Sequence, residues 1–319
     1  LIILNLIGSN MRILIIGASS FIGSHLIQKL EDLNEINQIT FTYFSNKYFP
    51  GQENNAKLLS LKCDVRNIQD IELVIDKSHP DVIIFMASTR YFPPPLNIND
   101  HEDINIKGLK NLIDSLDKLE KKPRLIFANS GAAKLNKKNM KINNSELDNY
   151  TLSKIKASKL FNSNKTIKNF NGTEVRLFTP YGPKDHEYRL IQSSVIKIIK
   201  GEYPILRNPN SVRDYIYVED VVDAFIKIIF SNQNYENIIE IGSSNPTSTK
   251  AITEKIYSIM DVNREIEIYE SSDEEQILYM KADLSDAKEY LDWAPKINLD
   301  EGIYNTVKWI KENYKVFYE

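Results

Sequence analysis

Short apolar runs that end in small or polar residues recur along the first half of the chain, and between them the apolar positions fall at helical spacing. "RILIIG" (12–17) is a continuous apolar run closed by glycine, the pattern of a strand buried on both faces. Ile22, Leu26, Leu30 and Leu33 then mark one face of a helix. "QITFTYF" (38–44), "KLLSLKC" (57–63), "DVIIFMA" (81–87), "RLIFAN" (124–129) and "TEVRLF" (173–178) read as further strands. Residues 102–119 carry helical periodicity through Ile106, Leu109, Leu112, Ile113, Leu116 and Leu119. This alternation predicts an α/β fold, a doubly wound parallel sheet with helices on both faces, over residues 11–179. Such sheets bind ligands beyond the carboxyl ends of their strands. After about residue 180 the alternation loosens, and residues 180–319 read as a smaller second lobe. Its apolar helix (219–230) and the strand "NIIEIG" (237–242) are expected to return to the sheet.

Composition narrows the chemistry. A chain of 319 residues with 42 % apolar content can build a sizeable core. The net charge of −3 leaves no overall basic footprint for nucleic acid. One cysteine, Cys63, excludes an internal disulfide and fits a reducing, cytoplasmic setting. One Cys and four scattered His give no zinc-ligand spacing, so no metal is expected. No apolar run approaches a membrane span, so no membrane partner is expected. The leading "LIILNLIGSN" (1–10) reads as an extension or cloning remnant ahead of Met11, with an interfacial anchor as the other reading.

The strand ends hold the candidate chemistry. "GASSFIG" follows the first strand and opens the first helix, and a Gly-rich turn there aims free backbone N–H groups at a phosphate where the helix dipole favours negative charge. Gly17, Ser20 and Gly23 stand three apart, and the strand–turn–helix context points to a dinucleotide pyrophosphate. In "DNYTLSK" (148–154), Tyr150 and Lys154 stand four apart and share one helix face. Spacing alone decides nothing, because Tyr43/Lys47 and Tyr304/Lys308 share it. Tyr150, however, follows a strand that ends at Ser130. A phenol titrates near 10, too high for a base at neutral pH, and an ammonium one helical turn away stabilises the phenolate. Ser130 can hold a substrate oxygen and share its proton.

Together these motifs resemble the extended, nucleotide-sugar branch of the short-chain dehydrogenase/reductase superfamily. Ser20 stands where that family has a glycine. "SVRDYIYVEDVVDAF" (211–225), "EVRLFTPYGP" (174–183), "IGSSNPTS" (241–248) and "ADLSDAKEYLDWAP" (282–295) extend the likeness over nearly all of the chain from Met11. The resemblance implies that residues 11–179 are a Rossmann NAD(P)-binding domain and that 180–319 form a substrate-binding lobe. It implies catalysis by Ser130, Tyr150 and Lys154, with Lys154 also on the nicotinamide ribose. Cofactor contacts are implied at Gly17, Ser20, Phe21, Ile22, Gly23, Asp64, Val65 and Ala87, with Asn105 a structural or relay residue. Asp64 reads equally as a helix N-cap. Where NAD-binding relatives place an acid after the second strand, this chain has Tyr43, Ser45, Asn46 and Lys47 and no acid between 38 and 50. A hydroxyl and an ammonium suit a 2′-phosphate, so NADP(H) is expected, with NAD(H) as the alternative.

For the substrate, the resemblance implies a nucleoside-diphosphate sugar. Arg213 would fork onto its diphosphate, Thr179 would stand beside the sugar, and Tyr91, ahead of "PPP" (93–95), would border it. The family's dehydratases carry Asp-Glu after the hydroxyl residue and its decarboxylases a glutamate. Here Gly131 and Ala132 follow Ser130. Hydride and proton transfer at C4 remain: reduction of a 4-keto-6-deoxy sugar, slightly favoured by the NADP(H) expectation, or 4-epimerisation. A non-catalytic nucleotide sensor and a sterol- or flavonoid-type reductase are the readings from other classes. Relatives commonly pair through two helices, so a homodimer is expected.

Overall fold

The computed structural model describes residues 10–45, 55–89, 98–135, 140–141, 147–231, 238–269 and 277–318. In chain order its main elements are β1 (Met11–Ile16), α1 (Phe21–Glu31), β2 (Ile36–Tyr43), β3 (Leu58–Lys62), α2 (Ile68–Ser78) and β4 (Val82–Phe85). A helical run follows, through Ile98–His101 and a π-turn at Glu102–Lys107 into α3 (Gly108–Asp117). Next come β5 (Arg124–Ser130), α4 (Asn149–Ile167), β6 (Gly172–Leu177), α5 (Leu190–Ile199), α6 (Val218–Phe230) and β7 (Ile239–Ile241). The C-terminal helices are α7 (Thr249–Ile259), α8 (Ser285–Leu291) and α9 (Leu299–Tyr318).

Seven strands form one sheet in the order β7-β6-β5-β4-β1-β2-β3. The apolar runs are its central strands: β1 pairs parallel with β2 (Ile15 opposite Phe41) and with β4 (Ile15 opposite Ile84), and β4 pairs parallel with β5. β1 therefore lies between β2 and β4, where the strand order reverses direction and a crevice opens beyond the strand ends.

The chain divides into two compact units. Unit 1 comprises residues 1–133, 148–176 and 222–239. Its core joins Leu14, Ile16, Val74, Phe85, Leu112, Phe127 and Phe161 between sheet and helices. Unit 2 comprises 134–147, 177–221 and 240–319. There α5, α7 and α9 pack around Val195, Ile252, Ile256, Ile303 and Val307, with Tyr181, Tyr215 and Tyr217 in edge contact. Two buried carboxylates stitch this unit. Asp214 accepts from the backbone N–H groups of Ser243 (2.7 Å), Ser244 (3.0 Å) and Ala282 (2.8 Å), and Asp220 from those of Lys296 and Ile297.

The expected continuous helix over 102–119 differs in its first part. Glu102–Lys107 is wound as a π-turn, which turns Asn105 inward onto polar partners. The other departure is at Asp64, which does not cap α2. Asn67 does, accepting from the Gln69 N–H at 3.1 Å. Among the described residues no helix is long and apolar enough to cross a membrane.

Candidate active site

The turn after β1 is built for close approach. Gly17 has φ +84, and a Cβ there would lie 2.5 Å from the backbone of Ala87, just past β4. Glycine is thus required twice over, by dihedral and by contact. The Gly17 N–H donates to Thr42 Oγ1 at 3.0 Å, which ties the turn to β2. Ser20 is the N-cap of α1: its Oγ accepts from the Gly23 N–H at 3.2 Å. Serine in place of a glycine thus satisfies one of the four N–H groups that a helix start leaves without an intrahelical partner. Those of Phe21 and Ile22 head the helix ahead of it. A diphosphate suits these N–H groups, which head the helix where the α1 dipole favours an anion.

The far side of the crevice is more heavily bonded. Asp64 accepts a fork from Arg66, with Nε–Oδ1 at 2.8 Å and an outer nitrogen on Oδ2 at 2.6 Å. That hydrogen-bonded guanidinium holds the Asp64 carboxyl below its ordinary range. Val65 is buried against Gly108, where a Cβ would meet its Cγ2 at 2.8 Å. Tyr43 is half-buried at the end of β2, and Ser45 is exposed. Lys47 and Tyr91 lie outside the described residues.

Ser130, Tyr150 and Lys154 all belong to unit 1. Ser130 is the last residue of β5, and its Oγ accepts from the Ala132 N–H at 3.1 Å. Asp148 caps α4 by accepting from the Thr151 N–H, so Tyr150 stands in the first turn. Lys154 Nζ lies 5.5 Å from the centroid of the Tyr150 ring and donates to Ser88 Oγ at 2.6 Å. Lys154 is only 3 % exposed, and burial pushes its ammonium down to about 8, against a rise from the Glu174 charge. An amine so placed titrates close to working pH, as functional lysines do.

Behind this pair runs a buried polar chain that the sequence marked only at Asn105. The Asn105 carbonyl accepts from the Thr89 N–H at 2.8 Å, and its amide donates to Thr89 Oγ1 and Ser153 Oγ, each at 2.8 Å. Ser153 in turn donates to the Tyr150 carbonyl at 2.7 Å. Thr89 Oγ1 also bonds His101 Nδ1 at 2.7 Å, and the His101 ring meets the Tyr150 ring edge-on at 6.0 Å. Burial holds His101 below the ordinary imidazole value. Ser88 and Thr89 sit at a strand end and were open to notice; His101 gave no local signal.

Thr179 and Arg213 belong to unit 2. The Thr179 carbonyl accepts from the Ile216 N–H at 3.2 Å. Arg213 lies in a two-residue ladder opposite Thr247.

Comparison with known proteins gives a consistent picture. Over 323 residues the chain is 24 % identical to UDP-glucuronate 4-epimerase of Thermodesulfobacterium geofontis, covering 95 % of this chain and 97 % of that one. It is 25 % identical over 316 residues to UDP-glucuronic acid decarboxylase 3 of Arabidopsis thaliana, covering 92 % and 87 %. Among solved structures, a tyrosine-to-phenylalanine variant of UDP-glucuronic acid 4-epimerase from Bacillus cereus, in complex with UDP-4-deoxy-4-fluoro-glucuronic acid and NAD, superposes with a TM-score of 0.82. It shares 19 % identity over 95 % of this chain and all of that one, a likeness of fold.

These neighbours overturn the NADP(H) expectation. Five of the similar structures hold NAD and none of those five NADP. A missing acid does not make a 2′-phosphate site, which needs a cation with uncommitted donors. Among the described residues the guanidinium near the turn after β2 is Arg66, 5.2 Å over the Phe44 ring, and its fork is bonded to Asp64. The model of the NAD-dependent epimerase/dehydratase family matches residues 13–242, from β1 through β7, and the chain belongs to that family.

Proposed function

We propose that the protein is an NAD-dependent nucleotide-sugar 4-epimerase acting through Ser130, Tyr150 and Lys154. One observation carries the reading: a buried Lys154 ammonium, anchored on Ser88, lies one helical turn from the Tyr150 phenol in a helix that follows the Ser130 strand. When bound, NAD supplies a reversible hydride acceptor. Gly17, Phe21, Ile22 and the Ser20-capped start of α1 would hold its pyrophosphate. Tyr150 as phenolate takes the proton of the C4 hydroxyl and returns it after the transient ketone has turned over. Lys154 keeps that phenolate accessible near neutral pH. Ser130 holds the C4 oxygen through both half-reactions. Gly131 and Ala132, next to Ser130, bring no carboxylate for eliminating water.

The reductase reading leaned on NADPH, and with NAD the balance moves to the epimerase, which must keep its cofactor through a full oxidation–reduction cycle. The test is to denature the purified protein and identify the released nucleotide by mass spectrometry. UDP-glucose and UDP-glucuronic acid are then offered, with C4 inversion followed by NMR. Retained NAD and inversion support the proposal. Protein without nucleotide that oxidises NADPH only with a 4-keto-6-deoxy sugar nucleotide refutes it.

A further inference from the structure

The helix that carries Tyr150 and Lys154 packs Ala157 and Phe161 into the core and also meets the sheet through polar side chains. Lys154, Ser158 and Asn162 follow one another at four-residue spacing and form one stripe. Opposite them, in the middle of β6, lies Glu174, whose side chain is 0 % exposed. Each of its oxygens accepts two hydrogen bonds. Oε1 takes Asn129 Nδ2 at 2.9 Å and Arg176 Nε at 3.0 Å. Oε2 takes Ser158 Oγ at 2.8 Å and Asn162 Nδ2 at 2.6 Å. A guanidinium and three neutral donors are what a buried ionised carboxylate needs to offset its desolvation.

Asn129 connects this cluster to the reactive groups. Its carbonyl accepts from the Ser130 N–H at 2.9 Å, and its amide donates to the Lys154 carbonyl at 3.3 Å as well as to Glu174. Glu174, an acceptor only, dictates which end of the amide faces the helix. One side chain thus touches the backbone of both Ser130 and Lys154, and one buried carboxylate fixes its orientation. None of this serves the core alone, since an apolar pair would pack there without the desolvation cost.

We propose that Glu174 and Asn129 are positioning residues for the reaction, a clip that sets the register of Ser130 against Lys154 and holds a buried carboxylate against the helix that carries the lysine. The proposal rests on the reading of Ser130, Tyr150 and Lys154 as catalytic. The titratable groups that meet or act on Lys154 are Tyr150 on its own helix, His101 from the preceding helical run and Glu174 of β6, itself paired with Arg176; Asp148 caps the helix, which also carries Lys156, Lys159 and Lys165, and the run carries Asp100, Glu102, Asp103 and Lys107. Of these it is the Glu174 charge that raises Lys154 and so keeps it protonated.

The test compares wild type, Glu174→Gln, Glu174→Asp and Asn129→Ser, using UDP-glucose as the probe. Glu174→Gln is expected to retain bound NAD, leave KM within about twofold and lower kcat by about 10- to 100-fold. The alkaline limb of its kcat profile moves to lower pH, and Glu174→Asp restores part of the loss. Urea unfolding from pH 6.5 to 9.5 supplies a readout without turnover: the rise in stability that accompanies Lys154 deprotonation begins at lower pH in Glu174→Gln. If UDP-glucose is not turned over, the catalytic reading fails while this readout still judges the clip. If Glu174→Gln does not fold, Asn129→Ser decides, with kcat expected to fall at unchanged KM. Wild-type kcat in the folded variants, or an unchanged pH window in Glu174→Gln, overturns the proposal.

Discussion

Replacing Lys154 by methionine removes a cost that the folded chain carries at neutral pH, and the structure sets its size. Burial brings the ammonium from the ordinary 10.5 to about 8. At 1.36 kcal/mol per tenfold change, keeping the proton on the buried amine costs roughly 3 kcal/mol relative to the unfolded chain. Lys154 is almost fully buried, so solvent screening does not dilute the figure. The direction follows from proton counts. The unfolded lysine holds its proton up to its ordinary value, while the folded one begins to release it near 8. Between those limits the unfolded chain binds more protons, so stability rises with pH there and is flat below. Methionine keeps the stem and removes the charge. It also loses the bond to Ser88, so the readout is the change with pH rather than the gap at one pH. Urea denaturation of both proteins, freed of nucleotide, should show wild type gaining about 2 kcal/mol on Lys154→Met between pH 7 and 9.5. Curves that stay parallel within about 0.5 kcal/mol would refute the buried-ammonium argument.

Three further outcomes are expected. Tyr150→Phe should lower turnover by about 10²- to 10⁴-fold while bound NAD measured after denaturation stays stoichiometric; an active Phe variant would remove Tyr150 from the chemistry. Gly17→Ala forces a Cβ against the Ala87 backbone at positive φ, so calorimetric titration should find NAD affinity lowered at least about tenfold. Unchanged affinity would mean the turn has another way to accommodate the methyl group. Burial, helped by Asp70 and Asp64, pushes the Cys63 thiol up to about 12, so a thiol reagent at pH 8 should label it only in denaturant. Rapid native labelling would show that this strand end opens.

The strands, their parallel order and the glycine turn after the first strand are legible in the sequence because each depends on neighbours in the chain. An unbroken run such as "RILIIG" fits a strand covered on both faces, and Gly17 right after it marks a backbone that must turn and approach closely. Tyr150 and Lys154 are legible for the same reason, one helical turn apart behind a strand that ends at Ser130. The NADP(H) expectation, built on the hydroxyls of Tyr43 and Ser45 and the ammonium of Lys47 in the absence of an acid, is overturned by the NAD found in similar structures. What the Arg66 guanidinium does near that turn depends on its fork to Asp64, which the pattern of residues does not state. Tertiary structure alone decided the environment of Tyr150 and Lys154. The π-turn that aims Asn105 at Ser153, the imidazole of His101 beside Tyr150, and the bond from Asn129 to Glu174 join residues far apart in the chain. In a local window a polar side chain on a helix looks solvated. Only when β5 and β6 pack against α4 do Ser158, Asn162 and Glu174 lose water and have to satisfy one another, and that meeting orders the ground beneath Lys154.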